Sequence, residues 1–111
     1  MKKDSGVIAD YDMDYDLLYL RKDVSKKVKG TFSIDNFVFD LSSDGDIIGI
    51  QIDNASSQIG TSPEILNSIK KAVFSVLTTP QAIGVRYGII SEQFCSSNEF
   101  RLAREQMAVV C

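Results

Sequence analysis

The sequence contains no histidine and few cysteines, and these absences exclude several kinds of chemistry. Its 111 residues include no His and two Cys. Ser-His-Asp and Cys-His catalytic arrangements both need an imidazole base, so neither can form. Cys95 and Cys111 lack the Cys-x-x-Cys spacing and have no histidine to complete a zinc site. We interpret both as free thiols in a reducing compartment, with a bridge between them as the alternative.

Long hydrophobic runs are also missing from the chain. No stretch of about 18 apolar residues exists, so the sequence predicts no membrane-spanning helix. Lys2 and Lys3 are followed by Asp4 and Gly6 rather than by the apolar core of a signal peptide. The net charge of −3 argues against a nucleic-acid partner, because phosphate contacts require a basic excess. We therefore expect a cytoplasmic protein that binds neither membrane nor nucleic acid.

What the chain does contain is an ordinary globular composition with an uneven distribution of charge. Hydrophobic residues make up 44% and charged residues 24%, and a chain of this length can bury one core. We predict one compact domain over 1–111, made of a hairpin unit (1–60) and a helix-strand-helix extension (61–111). All the aspartates lie at or before Asp53, and the first glutamate is Glu64.

The first half of the sequence reads as strands separated by polar turns. Apolar or alternating segments occupy 7–9, 17–20, 31–34, 37–39 and 47–52. Aspartates fill the first reversal, where their side chains accept bonds from backbone amides two residues further on. The Asp44-Gly45 pair provides the turn chemistry of a tight hairpin. These features predict antiparallel hairpins.

The second half contains a helix signal whose end the pattern leaves open. Ser62 is suited to cap a helix, and Pro63 and Glu64 fit its first turn. Apolar residues then recur at spacings of three and four, which predicts a helix that ends by Thr79-Pro80. Residues 73–78 also form a short run that is rich in β-branched residues. The alternative is therefore a helix that stops near Lys71 and is followed by a strand at 73–78.

Two further elements complete the predicted architecture. Apolar residues from Ile83 to Ile89 alternate with glycine and arginine, which is typical of a strand. Ser96-Ser97-Asn98-Glu99 matches a capping box, and later apolar residues at helical spacing predict a second helix: Phe100, Ala103, Met107 and Val110. The predicted fold class is α+β, with an antiparallel sheet of about five strands and two helices packed on one face.

Several short motifs, taken in order, resemble a known family. They are Tyr11-Asp12, Asp16-x-Leu18-Tyr19-Leu20, Asp44-Gly45, Ile48-Gly49-Ile50 and Ala55-Ser56. Over residues 8 to 58 they resemble the small prokaryotic family called domain of unknown function 2283. The resemblance implies a compact hairpin unit and implies no activity. Gln51 stands where that family usually has glutamate, and the chain from Thr61 onward is not covered.

The aspartate-rich turns are the candidate metal site. Asp12, Asp14 and Asp16 repeat the spacing that opens an EF-hand loop, but Leu17 takes the glycine position and Asp23 replaces the bidentate glutamate. A looser site would form if the two turns met at one end of the sheet. Its oxygen ligands for calcium or magnesium would be Asp12, Asp14, Asp16, Asp44 and Asp46. The alternative is that these aspartates are solvated turn formers.

The sequence offers no catalytic set, and this absence shapes the functional prediction. A hydrolase would need a deep pocket lined by Asp40, Asp44 or Cys95. A sheet with an uncovered edge strand, by contrast, is a surface for strand pairing. We predict a non-enzymatic protein-protein interaction module that binds a protein partner or forms a homodimer. A divalent-cation binding protein that uses the aspartate turns is the alternative.

Overall fold

The structure is a computed structural model that describes residues 2–4, 7–22 and 26–103. It is mostly antiparallel β-sheet, with two short helices in the middle of the chain. The strands are β1 (Lys2–Asp4), β2 (Val7–Asp12), β3 (Leu17–Lys22), β4 (Val28–Ile34), β5 (Phe37–Ser42), β6 (Ile47–Asp53), β7 (Lys71–Thr78), β8 (Ala82–Ile90) and β9 (Cys95–Ala103). The helices are α1 (Ala55–Ile59) and α2 (Pro63–Leu66).

The first six strands form one sheet in the order β1-β2-β3-β6-β5-β4. All neighbouring pairs are antiparallel, and β6 pairs with both β3 and β5. Side chains alternate between the two faces, because successive residues of a strand point in opposite directions. The inner face carries fully buried apolar side chains such as Leu20, Phe39 and Ile50. The outer face carries Tyr19 and Gln51, which are half-buried.

The helices form a short link between the two sheets. α1 begins after Asn54, which has a left-handed backbone (φ 51°), and is followed by Gly60, whose φ of 84° favours glycine. The Ser62 side chain accepts a hydrogen bond from the backbone amide of Ile65 and so caps α2. Neither of these two described helices, of five and four residues, is long and apolar enough to cross a membrane.

The last three strands form a second sheet in the order β7-β8-β9. Phe74, Val85 and Tyr87 lie on its buried face. The rings of Phe37 in the first sheet and Tyr87 in the second are 6.4 Å apart between centroids. The buried apolar residues of both sheets belong to one contiguous cluster, so the sheets pack on each other and share a core.

The hairpins predicted in the first half are confirmed, and the two long helices predicted in the second half are not. The helix that begins at Pro63 ends at Leu66, earlier than the end near Lys71 that the alternative predicted. Residues 71–78 are strand β7, which confirms the strand that the alternative placed at 73–78. Ala72 and Phe74 are buried while Val73 and Ser75 are exposed, which is the two-residue period of a strand. Pairing with β8 along its full length decides between the two structures.

The second predicted helix is wrong where the structure describes it, because residues 95–103 form β9. Met107 and Val110, which belonged to the same prediction, lie outside the described residues. Over the described residues the chain therefore has two sheets, of six and three strands, rather than one sheet of about five. Within residues 61–103 the structure has the short helix α2 and three strands, so the helix-strand-helix description is wrong for these residues. The packing of two helices on one face of a sheet is not confirmed by the described residues, although α1 and α2 contribute Ala55, Ile59 and Leu66 to the core.

Candidate functional site

The two aspartate-rich turns lie at opposite ends of the large sheet. Strand β3 runs antiparallel to β6, with Leu17 opposite Asp53. The turn at 13–16 therefore lies where β6 ends, whereas the turn at 43–46 lies where β6 begins. The length of β6 separates them by roughly 20 Å. The five aspartates of the predicted metal site are not brought together.

In the second turn, the ammonium group of Lys26 forms ion pairs with two of the aspartates. The Nζ of Lys26 lies 2.7 Å from an oxygen of Asp46 and 2.9 Å from an oxygen of Asp44. Hydrogen bonding to Asp46 and Asp44 raises the pKa of Lys26 above its ordinary value, and the hydrogen bond from Lys26 lowers the pKa of Asp46. All three side chains are largely exposed, so this cluster ties the loop before β4 to the β5–β6 turn without forming a dry site.

In the first turn, Asp12 shapes the chain locally. Its Oδ1 accepts hydrogen bonds from the backbone amides of Asp14, at 3.0 Å, and Tyr15, at 3.4 Å. This is the local side-chain to backbone bonding by which aspartate stabilises turns. The Asp14 side chain is exposed. Both residues fit the interpretation as solvated turn formers.

Asp16 joins the first turn to helix α1. Its carboxylate accepts hydrogen bonds from the Tyr11 hydroxyl at 2.6 Å, the Ser56 hydroxyl at 2.7 Å and the Ser56 backbone amide at 3.0 Å. Its backbone carbonyl accepts a hydrogen bond from the amide of Ala55. Partial burial raises the pKa of Asp16, but the hydrogen bonds outweigh it, and the net pKa is below its ordinary value. The carboxylate is therefore already engaged within the protein.

This geometry restricts which of the predicted aspartates could bind a calcium or magnesium ion together. Among residues 7–22 and 26–103, no group of three or more His, Cys, Asp or Glu side chains is arranged to hold a metal ion. A cation would have to use one turn alone, with one carboxylate engaged by three hydrogen bonds at the first and a lysine already present at the second. Calcium or magnesium binding stays a prediction on those terms.

A second polar contact, which the sequence reasoning did not predict, crosses the outer face of the large sheet. The hydroxyl of Tyr19 on β3 donates a hydrogen bond of 2.5 Å to Oδ2 of Asp40 on β5. It passes over Gly49 of the intervening strand β6, where a Cβ would lie 2.9 Å from both oxygen atoms. Burial, followed by the contact with Asp40, raises the pKa of Tyr19 to about 12. No sequence signal links residues 21 positions apart; only the strand register does.

None of the three residues considered for a hydrolase borders the depressions that the described residues form on the small sheet. Asp40 accepts the bond from Tyr19, while Asp44 and Cys95 are exposed. An open depression of about 300 Å³ does lie on the outer face of the small sheet, bordered by Leu77, Gly84 and Glu99. Its lining also includes Ser75 and Arg86, and it offers no paired acid and base in a closed cleft.

The remaining candidate is the outer edge of β9, which lies at the end of the small sheet. β9 pairs with β8 from Cys95 to Ala103 without a shift in register. No strand of the described chain pairs with its other edge. The sequence reasoning missed this edge because it predicted a helix at 96–110. The alternation of Glu99 and Arg101 with Phe100 and Leu102 was the available signal for a strand.

These observations define a mostly antiparallel β protein with two short helices, whose motif residues serve turn formation and cross-strand contacts. Residues 8–56 match the model of the family described as "Protein of unknown function (DUF2283)", which confirms the resemblance predicted from the sequence. The matched region contains β2 from its second residue onward, all of β3 to β6 and the first two residues of α1. No curated protein and no solved structure matches the chain.

Proposed function

We propose that this protein is a non-enzymatic interaction module that binds an extended protein segment along the outer edge of β9. The observation that supports the proposal is the regularity of that edge. β9 has nine residues, an unbroken register with β8, and no proline. A long, flat edge strand presents a row of backbone donors and acceptors to which another strand can be added.

The outer strands of the large sheet differ from β9 in ways that oppose strand addition. β4 has an irregular register between Val28 and Gly30, and Lys26, Lys27 and Lys29 lie beside or within it. β1 has only three residues. Bulges, lysines and short length are the features by which natural sheets protect their edges. β9 has none of these features.

The hairpin with β8 determines which residues of β9 direct their backbone N–H and C=O groups toward the open edge. The amide of Ser91 donates a hydrogen bond of 2.8 Å to the carbonyl of Phe94. In an antiparallel pair, hydrogen-bonded and non-hydrogen-bonded positions alternate. The even-numbered residues of β9 therefore bond to β8, and the odd-numbered residues from Cys95 to Ala103 direct their N–H and C=O groups toward the edge.

The side chains of these odd-numbered residues leave the edge accessible. Cys95, Ser97, Glu99 and Arg101 are all exposed on the outer face of the small sheet. They include one acid and one base, so they do not repel a partner of either charge. We propose that the module acts in the cytoplasm, where the exposed thiol of Cys95 stays reduced.

A proline at Ser97 tests the proposal directly. Ser97→Pro removes one edge N–H without removing a hydrogen bond to β8, whereas Ser97→Ala changes the side chain and keeps the N–H. We expect sedimentation velocity and affinity capture with the full chain to show a self-associated or partner-bound species for the wild type and the Ser97→Ala variant. The Ser97→Pro variant should lose that species while its thermal unfolding stays cooperative.

Two results would contradict strand addition at this edge. One is a wild-type protein that stays monomeric and captures no partner at concentrations up to the millimolar range. The other is an association that persists undiminished in Ser97→Pro, since a surface elsewhere on the molecule would then be responsible.

A further inference from the structure

We infer that the strand that occupies this edge is β9 of a second copy of the chain, paired antiparallel about a twofold axis at residue 100. The inference rests on the proposed function and specifies its partner and register. In this arrangement, Glu99 of each copy lies opposite Arg101 of the partner subunit. The two small sheets become one continuous sheet of six strands.

Symmetry limits the registers that two copies of β9 can adopt. A twofold axis perpendicular to an antiparallel pair passes through a position where a residue faces its own counterpart, so residues equally distant from that position face each other. Odd-numbered residues then face odd-numbered residues. Because these are the residues whose backbone groups point toward the edge, every such register can form hydrogen bonds, and the outer faces of the two sheets are continuous.

Charge distinguishes among these registers. An axis at position 99 places Glu99 opposite its own counterpart, and an axis at position 101 does the same for Arg101. An axis at 98 leaves both charges opposite neutral residues, Ser97 and Cys95. With the axis at position 100, two Glu-Arg pairs form between exposed side chains on one face. Opposite charges directly across a strand pair are stabilising, and like charges are destabilising.

The two charged residues are available for these contacts. Arg101 is exposed and has no ion-pair partner within the described residues. The Glu99 side chain is 47% exposed and contacts Arg86 of its own chain, 3.2 Å away, through Oε1. No ion pair to its other oxygen, Oε2, is formed in the described part of the chain, so Glu99 can bridge Arg86 and the partner's Arg101 together.

Complementary charge reversal tests both the partner and the register. Glu99→Arg and Arg101→Glu each turn two attractive pairs into two repulsive ones, so each variant alone should raise the dimer dissociation constant by roughly tenfold or more. Mixing the two variants restores Arg-Glu pairs at both positions. We expect light scattering at low salt to show two weakened homodimers and a heterodimer of the mixture with near wild-type affinity.

The double variant Glu99→Arg/Arg101→Glu exchanges the two charges within one chain, so its homodimer regains two opposite-charge pairs and should be tighter than the homodimer of either single variant. Full wild-type affinity is not required, because Glu99→Arg also places a second positive charge beside Arg86. Arg101→Glu leaves the Arg86 contact intact, so its effect cannot come from loss of that contact. Thermal unfolding of each variant checks that the fold is retained.

The outcomes separate this inference from the proposal on which it rests. A wild-type dimer that Ser97→Pro disrupts but that neither charge reversal weakens would overturn the register and leave strand addition at β9 in place. A monomeric wild type that binds other proteins through β9 would overturn the second copy as the partner. A protein unaffected by Ser97→Pro would remove both.

Discussion

At the scale of single residues, the motifs that resemble the family have structural roles. Tyr11, Asp16 and Ser56 form one hydrogen-bonded group that fixes the β2–β3 turn against α1. The Tyr19 hydroxyl donates a hydrogen bond to Asp40 on the outer face of the large sheet, and Gly49 leaves room for this contact. An aspartate motif in a sequence can therefore mark a turn that needs an acceptor as readily as it marks a ligand site.

Replacing Asp16 with Asn should destabilise the protein because the carboxylate is the acceptor of three hydrogen bonds. Asn tolerates the left-handed backbone of residue 16 (φ 52°), so the change isolates the loss of the charged acceptor. Hydrogen bonds to charged groups contribute ~1.5–3 kcal/mol each, and we expect a loss within that range, measured by urea denaturation at pH 7. Asp14→Asn, at an exposed side chain, is the control and should change stability by less than about 0.5 kcal/mol.

The pH dependence of the same pair of proteins follows from the lowered pKa of Asp16. A carboxylate with a depressed folded-state pKa stabilises the fold above its unfolded pKa of 3.8, and this contribution disappears as the pH falls through the folded value. The stability difference between the wild type and Asp16→Asn should be constant from pH 7 to about pH 5 and shrink in more acidic solution. A difference that grows on acidification would contradict the assignment.

Adding a methyl group at Gly49 should disturb the Tyr19–Asp40 contact. The new Cβ would lie 2.9 Å from both oxygen atoms, and overpacking of this kind costs ~1–3 kcal/mol. In a Tyr19→Phe background the hydroxyl is missing, so the cost of Gly49→Ala should be smaller, with a coupling of at least about 0.5 kcal/mol in a double-mutant cycle. Strictly additive free energies of unfolding would show that the hydroxyl is not the obstructing group.

At the scale of secondary-structure elements, local sequence signals predicted the hairpins correctly but predicted helix at 71–78 and 95–103, which are strands. Asp44-Gly45 needs only its own backbone preference to form a turn, and Gly45 has a φ of 85°. Ser96 to Glu99 match a helix cap equally well in isolation, but β8 provides a partner for every residue from Cys95 to Ala103. Such pairing is non-local, so a single sequence does not reveal it.

The arrangement of the candidate site also depends on non-local strand pairing. The sequence pattern predicted the aspartate turns and the presence of an edge strand without a partner. The position of that edge depended on whether β9 is a strand, and the separation of the two aspartate turns depended on the order β3-β6-β5. The hydrophobic pattern and the turns constrain the register within each hairpin. The order of strands that are not neighbours in the chain does not follow from the spacing of residues.

The β8–β9 pair should be sensitive to a methyl group at Gly88. A Cβ there would lie 2.7 Å from the carbonyl oxygen of Ser96 and 3.1 Å from Cγ2 of Val73. Because the first atom belongs to the backbone, the strands would have to move apart, and we expect Gly88→Ala to cost ~1–3 kcal/mol. At Gly30 nothing lies within 4 Å of the corresponding position. Gly30→Ala is therefore the control, with no loss of urea-denaturation midpoint expected; equal losses for both would contradict the close strand approach.

At the scale of the whole molecule, the two sheets depend on each other. The buried faces of the two sheets belong to one apolar cluster, to which α1 and α2 contribute Ala55, Ile59 and Leu66. The shared cluster includes residues from β2 to β8, so removing either sheet would expose apolar side chains of the other to water. We therefore propose that the chain folds as one cooperative domain, although the family match covers only residues 8–56.

Two adjacent isoleucines on β8 test this cooperativity. Ile89 is 1% exposed in the shared core, and Ile90 is 41% exposed on the opposite face. Ile89→Ala should cost ~2–5 kcal/mol, and hydrogen exchange should show the same loss of amide protection in β3 and β6 as in β8, because all three strands open in one event. Ile90→Ala should cost less than about 1 kcal/mol with the protection pattern unchanged. If protection fell only in β7 to β9, residues 71–103 would instead be a separate folding unit, and the family-like region would be stable without it.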